Sequence, residues 1–330
     1  MKGKIDLHLH LDGSLDLECS WKLAKERGIV DMNCTLEQFS SQMIVPSDNP
    51  SLHEYLSCFD LPISILQDHD AIAESVYALI RNLHEQGLIY AEIRFAPQNH
   101  TKKGLSQAEV VEAALAGRKK ASQDFPEVKT NFILCMMIFG EEEVNHNENK
   151  ETVYVAKEFL NKGVVAIDIA GSEGSSPLIG YKPLFDLAKK LGLVYTIHAG
   201  EAGPASNVET AILMGASRIG HGGHCTLDPK VKQMVIDKQI PLEMCPTSNV
   251  HCCCQPSFEE HALIELYHDG ALVTLNTDNM TLSRVNLEKE VNHVLNEMKM
   301  TEEDMLQLTK NSIQAAFLSD AEKQELLAKL

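Results

Sequence analysis

A chain of 330 residues that is 44% hydrophobic and 23% charged can bury a sizeable core, which excludes a disordered polymer or a collagen-like repeat. Its formal charge of −18 disfavours a broad polyanion-binding face, so neither nucleic acid nor an acidic membrane is an expected partner, whereas a small uncharged or basic molecule is. Nine cysteines, three of them adjacent at Cys252, Cys253 and Cys254, make a poor disulfide framework and fit a reducing, cytoplasmic setting.

The opening MKGKIDLHLHLDGSLD has no apolar region long enough for a secretory signal. Eight short apolar or β-branched runs follow one another along the chain: KIDLHLHL, LIYAEIRF, NFILCMMI, VVAIDIAG, LVYTIHAG, SRIGHG, PLEMCP and ALVTLNTD. Amphipathic segments separate them. The first connection, about 13–87, is unusually long and carries capping-box patterns at Thr35 with Gln38 and Ser51 with Glu54. It ends in a helix expected over 70–87, with Ile72, Val76, Leu79, Ile80 and Leu83 on one face and a glycine stop. Ser106 with Glu109 marks another helix start, as does Asp228 before Pro229. The longest apolar stretch, Phe132 to Phe139, is too short to cross a bilayer and suits a strand buried on both faces. Two or three helices are expected after the eighth run, from about Arg284 to the end, with Ser319 and Glu322 at one start. Eight strand–helix alternations imply an α/β fold, a closed (β/α)8 TIM barrel in one domain over residues 1–330. An insertion after the first strand lies over the face where barrels bind substrates, so residues 13–87 are expected to form a helical lid.

His8 and His10 are two apart on the first strand, so alternation points both imidazoles to one face. Neutral imidazole is a favoured zinc ligand, and HxH alone is also compatible with two surface histidines. His198, His221 and Asp278 end the fifth, sixth and eighth runs, and a barrel brings all strand C-termini to one mouth. Three histidines and a carboxylate can hold one divalent ion and leave room for water, the arrangement of a catalytic site. Glu201, three residues after His198, is placed as an acid/base group; His221 could be a ligand or a base.

The words HLHLDGS (8–14), AGSE (170–173), HAGE (198–201), IGHG (219–222), EMCPTSN (243–249) and LNTDN (275–279) together resemble the adenosine deaminase family of zinc-dependent barrel hydrolases. The resemblance spans nearly the whole chain. It implies hydrolytic deamination of adenosine or 2′-deoxyadenosine, with one zinc ion held by His8, His10, His198 and Asp278. Glu201, His221 and Asp278 are then the catalytic residues: Glu201 gives a proton to the purine ring nitrogen beside the attacked carbon, His221 is a base or electrostatic partner for the water, and Asp278 orients it. His10, Asp12, Gly171 and Asn279 fall at substrate positions, Asp12 toward the ribose and Gly171 toward the purine through its N–H. An aspartate at the sugar end favours a nucleoside over a nucleotide.

Two positions depart from the family pattern. Asn279 stands where many members have aspartate; its amide donates at any pH, so a contact to ring N7 is retained. Ser172 stands where AGDE is common, which leaves open what that carboxylate contributes. A related 6-aminopurine, such as adenine or a modified adenosine, is the neighbouring substrate reading, and a different mononuclear hydrolase on the same barrel is the other alternative. The PCxxC signature of cytidine-type deaminases is absent. Cys252–Cys254 are expected in a reduced loop or helix start, not all on one ion, and His224 lies outside the ligand set.

Overall fold

The computed structural model describes residues 3–46, 49 and 51–330. All eight runs are strands: β1 (Lys4–His10), β2 (Leu88–Phe95), β3 (Lys129–Ile138), β4 (Val164–Gly171), β5 (Thr196–Ala199), β6 (Arg218–His221), β7 (Leu242–Met244) and β8 (Val273–Leu275). They pair in parallel as two four-stranded sheets, β1-β2-β3-β4 and β5-β6-β7-β8. Single bridges close both seams, Ile167 with Tyr195 and Leu9 with Asp278. At the second seam the Asp278 N–H donates to His8 O and the His10 N–H to Asp278 O, each at 2.7 Å. The result is the α/β TIM barrel that the alternation predicts.

Strands covered on both faces need near-continuous apolar runs, and alternation assigns their faces. In β1, Ile5 and Leu7 pack outward against Ile313, Ala315 and Leu326 of the C-terminal helices. Asp6, His8 and His10 take the other face. Three helices follow β8: Leu287–Asn296, Glu302–Ala315 and Asp320–Leu327. The second is tied to the barrel by the Asn311 amide, which donates to Val273 O at 2.9 Å.

The connection from β1 to β2 holds the helices Leu17–Glu26, Leu36–Gln42, Leu52–Ser57, Asp60–Ile65 and His69–Glu85. The last begins before residue 70 because the Asp68 carboxylate accepts the Ala71 N–H at 2.9 Å. Thr35 and Ser106 form full capping boxes, as does Ser319. Ser51 is different: its hydroxyl accepts the Glu54 N–H, but the Glu54 carboxylate takes the Ser51 hydroxyl instead of the backbone. The apolar stretch of β3 also stops short of expectation. Its strand ends at Ile138, and Phe139 is 51% exposed. Among the described residues no helix is long and apolar enough to cross a membrane.

Candidate active site

His8, His10, His198 and Asp278, drawn from β1, β5 and the segment after β8, converge at the C-terminal mouth of the barrel. His10 Nε2 lies 3.4 Å from His198 Nε2 and 3.4 Å from Asp278 Oδ1, and His8 Nε2 lies 3.5 Å from the same oxygen. Ligands about 2.0–2.2 Å from a common four- or five-coordinate ion stand roughly 3–3.5 Å apart, so these three spacings suit a shared cation; His8, His10 and His198 form one mutually close donor group and His8, His221 and Asp278 another. His8 Nε2 is buried and makes no hydrogen bond, as expected of a nitrogen whose partner is an ion. Burial holds the His10 imidazole well below its usual pKa, keeping it neutral as a ligand must be. The donor set therefore fits a divalent ion of the zinc type.

What aims these nitrogens is a buried charge network under the mouth. Glu243 on β7 holds His8 Nδ1 at 2.8 Å, and Asp168 on β4 holds His198 Nδ1 at 2.8 Å. Arg94 on β2 donates to Asp168 and Glu243, both at 2.7 Å, and to Leu7 O at 2.7 Å. Arg218 on β6 joins Glu243 to Glu92, each at 2.6 Å. Burial opposes the ionised form of Glu243, but Arg94 and Arg218 overcome it and hold the carboxyl well below its ordinary range. Three carboxylates against two guanidiniums leave the layer negative, which favours a cation above it. None of these five residues was singled out from sequence. Their signal was present: Glu92, Arg94, Asp168, Arg218 and Glu243 are charges inside otherwise apolar strands.

Asp278 is further restrained by the Ser248 hydroxyl, which donates to Oδ2 at 2.6 Å. Asp278 and His221 both have left-handed backbones, with φ of 60° and 61°. Strain of this kind costs on the order of 1–3 kcal/mol and persists only where surrounding structure enforces it.

Glu201 is buried beside the ion position, its Oε1 3.6 Å from His221 Nε2. Burial, then the neighbouring Cys252 and Asp278, raise its carboxyl well above the ordinary range, which favours the protonated acid. The backbone that presents it is gripped by Glu173 of the AGSE word. That carboxylate accepts N–H groups from Gly200, Glu201, Ala202 and Gly203 at 2.7–3.1 Å, and the Asn207 amide at 2.9 Å.

A chain of hydrogen bonds settles which His221 nitrogen faces the site. The Leu263 N–H donates to His261 Nδ1 at 3.1 Å, which leaves the His261 proton on Nε2. That nitrogen donates to Asn249 Oδ1 at 3.3 Å, and Asn249 Nδ2 donates to His221 Nδ1 at 3.0 Å. His221 therefore carries its proton on Nε2 and offers a donor, not a lone pair, toward Glu201. Of the two roles open from spacing, ligand or base, this tautomer suits neither directly; it suits the electrostatic partner.

A cavity of about 340 Å³ opens over these groups, within the range of small-ligand sites. Asp12, Gly171, Ser172 and Asn279 line it together with His10, His198, Glu201, His221 and Asp278, so every site residue expected from sequence except His8 is on its wall. His8 sits beneath. Asp12 Oδ1 is buried without a partner, and burial raises the Asp12 carboxyl to about 6. Gly171 has φ of 114°, and a Cβ there would lie 2.7 Å from Ile138 O. The helices Leu52–Ser57 and Asp60–Ile65 and the turn between them supply the outer wall through Tyr55, Leu56, Phe59 and Ile63. Tyr55 is pinned by a 2.7 Å hydrogen bond to Ser283.

Of the two alternatives expected for the cysteines, loop or helix start, the structure has the loop, and the three do not meet on one ion. Cys252–Cys254 end the helix Pro246–His251 instead of starting one, and Cys252 and Cys254 fall together beside Glu201 while Cys253 is exposed. His224 does lie outside the ligand set, bonding to Gly203 O and Cys254 O at 2.8 and 3.0 Å.

The family model described as adenosine deaminase matches residues 3–330. An adenosine deaminase of Haemophilus ducreyi is 42% identical over 329 residues, covering 99% of this chain and 95% of the relative. Among solved structures, an adenine deaminase from Arthrobacter aurescens superposes with a TM-score of 0.89 at 26% identity, covering 100% of this chain and 98% of its own. An Arabidopsis N6-mAMP deaminase does so with a TM-score of 0.85 at 25% identity, covering 99% and 97%. With the barrel, the site and full-length similarity in agreement, the chain belongs to the adenosine deaminase family.

Proposed function

We propose that this protein hydrolyses the 6-amino group of adenosine and 2′-deoxyadenosine, releasing ammonia and inosine or 2′-deoxyinosine, at a site with one zinc ion. The observation that carries the reading is the clustering of His8, His10, His198 and Asp278 at the barrel mouth beside Glu201, whose carboxyl burial holds above its ordinary range. Zinc held by that set supplies the Lewis acidity that activates water near neutral pH. Glu201 donates its proton to the ring nitrogen next to C6, which weakens aromatic resistance to addition there. Asp278 accepts a proton from the attacking water and fixes its direction. His221 donates from Nε2 to the oxygen that gains charge as addition proceeds. The Asn279 amide donates to N7, and the Gly171 N–H meets the purine edge.

Asp12 accepts a ribose hydroxyl, which gives its lone Oδ1 a partner. No lysine or arginine lines the cavity among the described residues, and Asp12 and Asp60 do, so a phosphate finds repulsion and no counter-charge. Nucleoside is thus favoured over nucleotide. The residues 13–87 act as a lid within a single domain, and the likeness to an adenine deaminase makes free adenine the second reading. The reaction and the reducing state of the thiols suit the cytoplasm.

Ammonia release from adenosine, 2′-deoxyadenosine, adenine and AMP, measured on metal-quantified protein before and after chelation, tests this. We expect the two nucleosides to be turned over best, one zinc per chain, and loss of activity on chelation with recovery on adding zinc. Preference for AMP overturns the charge argument, and preference for adenine overturns the role of Asp12.

A further inference from the structure

The helix Pro246–His251 ends in an arrangement that its cysteines make chemically special. Cys254 N and Gln255 N both donate to Asn249 O at 2.9 Å, and Cys253 takes a left-handed φ of 59°. Glycine or asparagine is usual at such a helix end. The turn carries the exposed Cys253 side chain away and leaves Cys252 and Cys254 on one side. There the Cys252 thiol donates to Glu201 Oε1 at 3.7 Å, and the two sulfurs and a Glu201 oxygen all lie within 4.8 Å of one another.

We propose that Glu201, Cys252 and Cys254 form a second metal site, for a thiophilic divalent cation such as cadmium or excess zinc, whose occupation shuts off the enzyme. A tetrahedral ion with metal–sulfur bonds of about 2.3 Å places two sulfurs roughly 3.8 Å apart and each sulfur roughly 3.5 Å from a carboxylate oxygen. Cys252 Sγ already stands 3.7 Å from Glu201 Oε1, and the remaining spacings, all within 4.8 Å, need closure of at most about 1.3 Å to meet that. The ligand set is softer than the histidine–aspartate set of the catalytic centre, so it favours more thiophilic ions. Binding displaces the two thiol protons and the Glu201 proton to solvent, with no change of oxidation state.

The surroundings favour coordination over oxidation. Cys252 is buried in an apolar cluster with Val45, Tyr55 and Leu282, under the outer wall of the cavity. A buried thiol in such surroundings is a poor nucleophile, whereas a cation can draw the proton off directly. Entry is open from the Cys254 side, which is partly exposed, and from the cavity through Glu201.

Inhibition rests on the role proposed above for Glu201, whose proton and position the ion removes; binding does not. The test therefore reads both. Cadmium is titrated into zinc-loaded protein while near-ultraviolet sulfur-to-metal absorption and ammonia release from adenosine are followed. We expect the absorption band to saturate at one cadmium per chain with zinc retained, activity to fall in parallel, and a dithiol chelator to restore it. The catalytic set contains no sulfur, so exchange there is silent in this band. Cys254→Ser should keep its basal activity, lose the band and need at least about tenfold more cadmium for half-inhibition, while Cys253→Ser should behave as the parent. Absence of the band, or a band and inhibition unchanged in Cys254→Ser, overturns the site. A normal band with no purine deaminated by any form overturns the proposed function and leaves the site standing.

Discussion

Asn249 donates its amide N–H to His221 Nδ1 across 3.0 Å, and because His261 fixes the other end of that amide, the His221 proton is directed to the nitrogen facing Glu201. The backbone N–H of Leu263 is the anchor of the relay, and burial holds the His261 imidazole down to about 3, so it stays neutral at working pH.

Asn249→Asp keeps the volume but can only accept from His221 Nδ1, which moves the proton there and leaves a lone pair toward Glu201. The expected effect is a fall in kcat of about 10- to 100-fold, with KM and zinc content little changed. Steady-state kinetics with metal analysis checks it; an unaltered kcat shows that the tautomer does not matter.

Glu173→Gln replaces two accepting oxygens with one and turns an amide donor toward the N–H groups of residues 200–203. Because Glu173 is only partly buried, a loss of about 2 kcal/mol in stability is expected. Since the same N–H groups position Glu201, kcat should fall by about tenfold or more even where the variant is fully folded. Urea unfolding and kinetics on one preparation separate the two effects, and retention of full activity argues that the Glu201 loop holds its place unaided.

Gly13→Ala puts a Cβ 1.8 Å from Asn279 Oδ1 and 2.9 Å from Asn279 Cβ. The second contact means the amide cannot escape by rotation alone. Overpacking of about 1–3 kcal/mol is expected, with kcat/KM for adenosine reduced by about 5- to 100-fold. A variant with parental kcat/KM and thermal midpoint would show that Asn279 does not need its present position.

Glu290 is wholly buried, and burial pushes its carboxyl up to about 8 from 4.5, against hydrogen bonds from Thr247. Between those two pH values the folded chain keeps a proton that the unfolded chain has lost, so the Glu290 contribution is complete below pH 4.5 and is lost as pH rises toward 8. Glu290→Gln removes this dependence. Relative to the parent, the variant should gain stability at pH 8 by a few kcal/mol at most and gain little at pH 5, read from denaturant midpoints of metal-loaded protein. Equal gains at both pH values would mean that the carboxyl is already ionised at pH 5 in the folded state.

The barrel was legible because parallel strands buried on both faces demand continuous apolar runs, and all eight runs became strands where they were expected. The gathering of the histidines and Asp278 was legible for the same reason. His8 and His10 follow strand alternation, and His198, His221 and Asp278 lie at or just beyond the C-terminal ends of β5, β6 and β8, which a barrel must gather.

Local reading failed where a neighbour remote in sequence decides. The helix after Asp68 began early through its own cap, and β3 ended at Ile138, one residue before the exposed Phe139. Asp168, Glu243 and Arg94 looked like isolated charges in apolar strands, since each finds its partner on a different strand.

By itself, then, the order of residues determined the strands, their inward and outward faces, and which side chains reach the barrel mouth, because pleat and periodicity are local. Only the tertiary structure decided the upward shift of the Glu201 carboxyl, the tautomer of His221 and the meeting of Cys252 and Cys254 with Glu201. Desolvation and hydrogen bonding act through space, and those distances exist only once the barrel has closed.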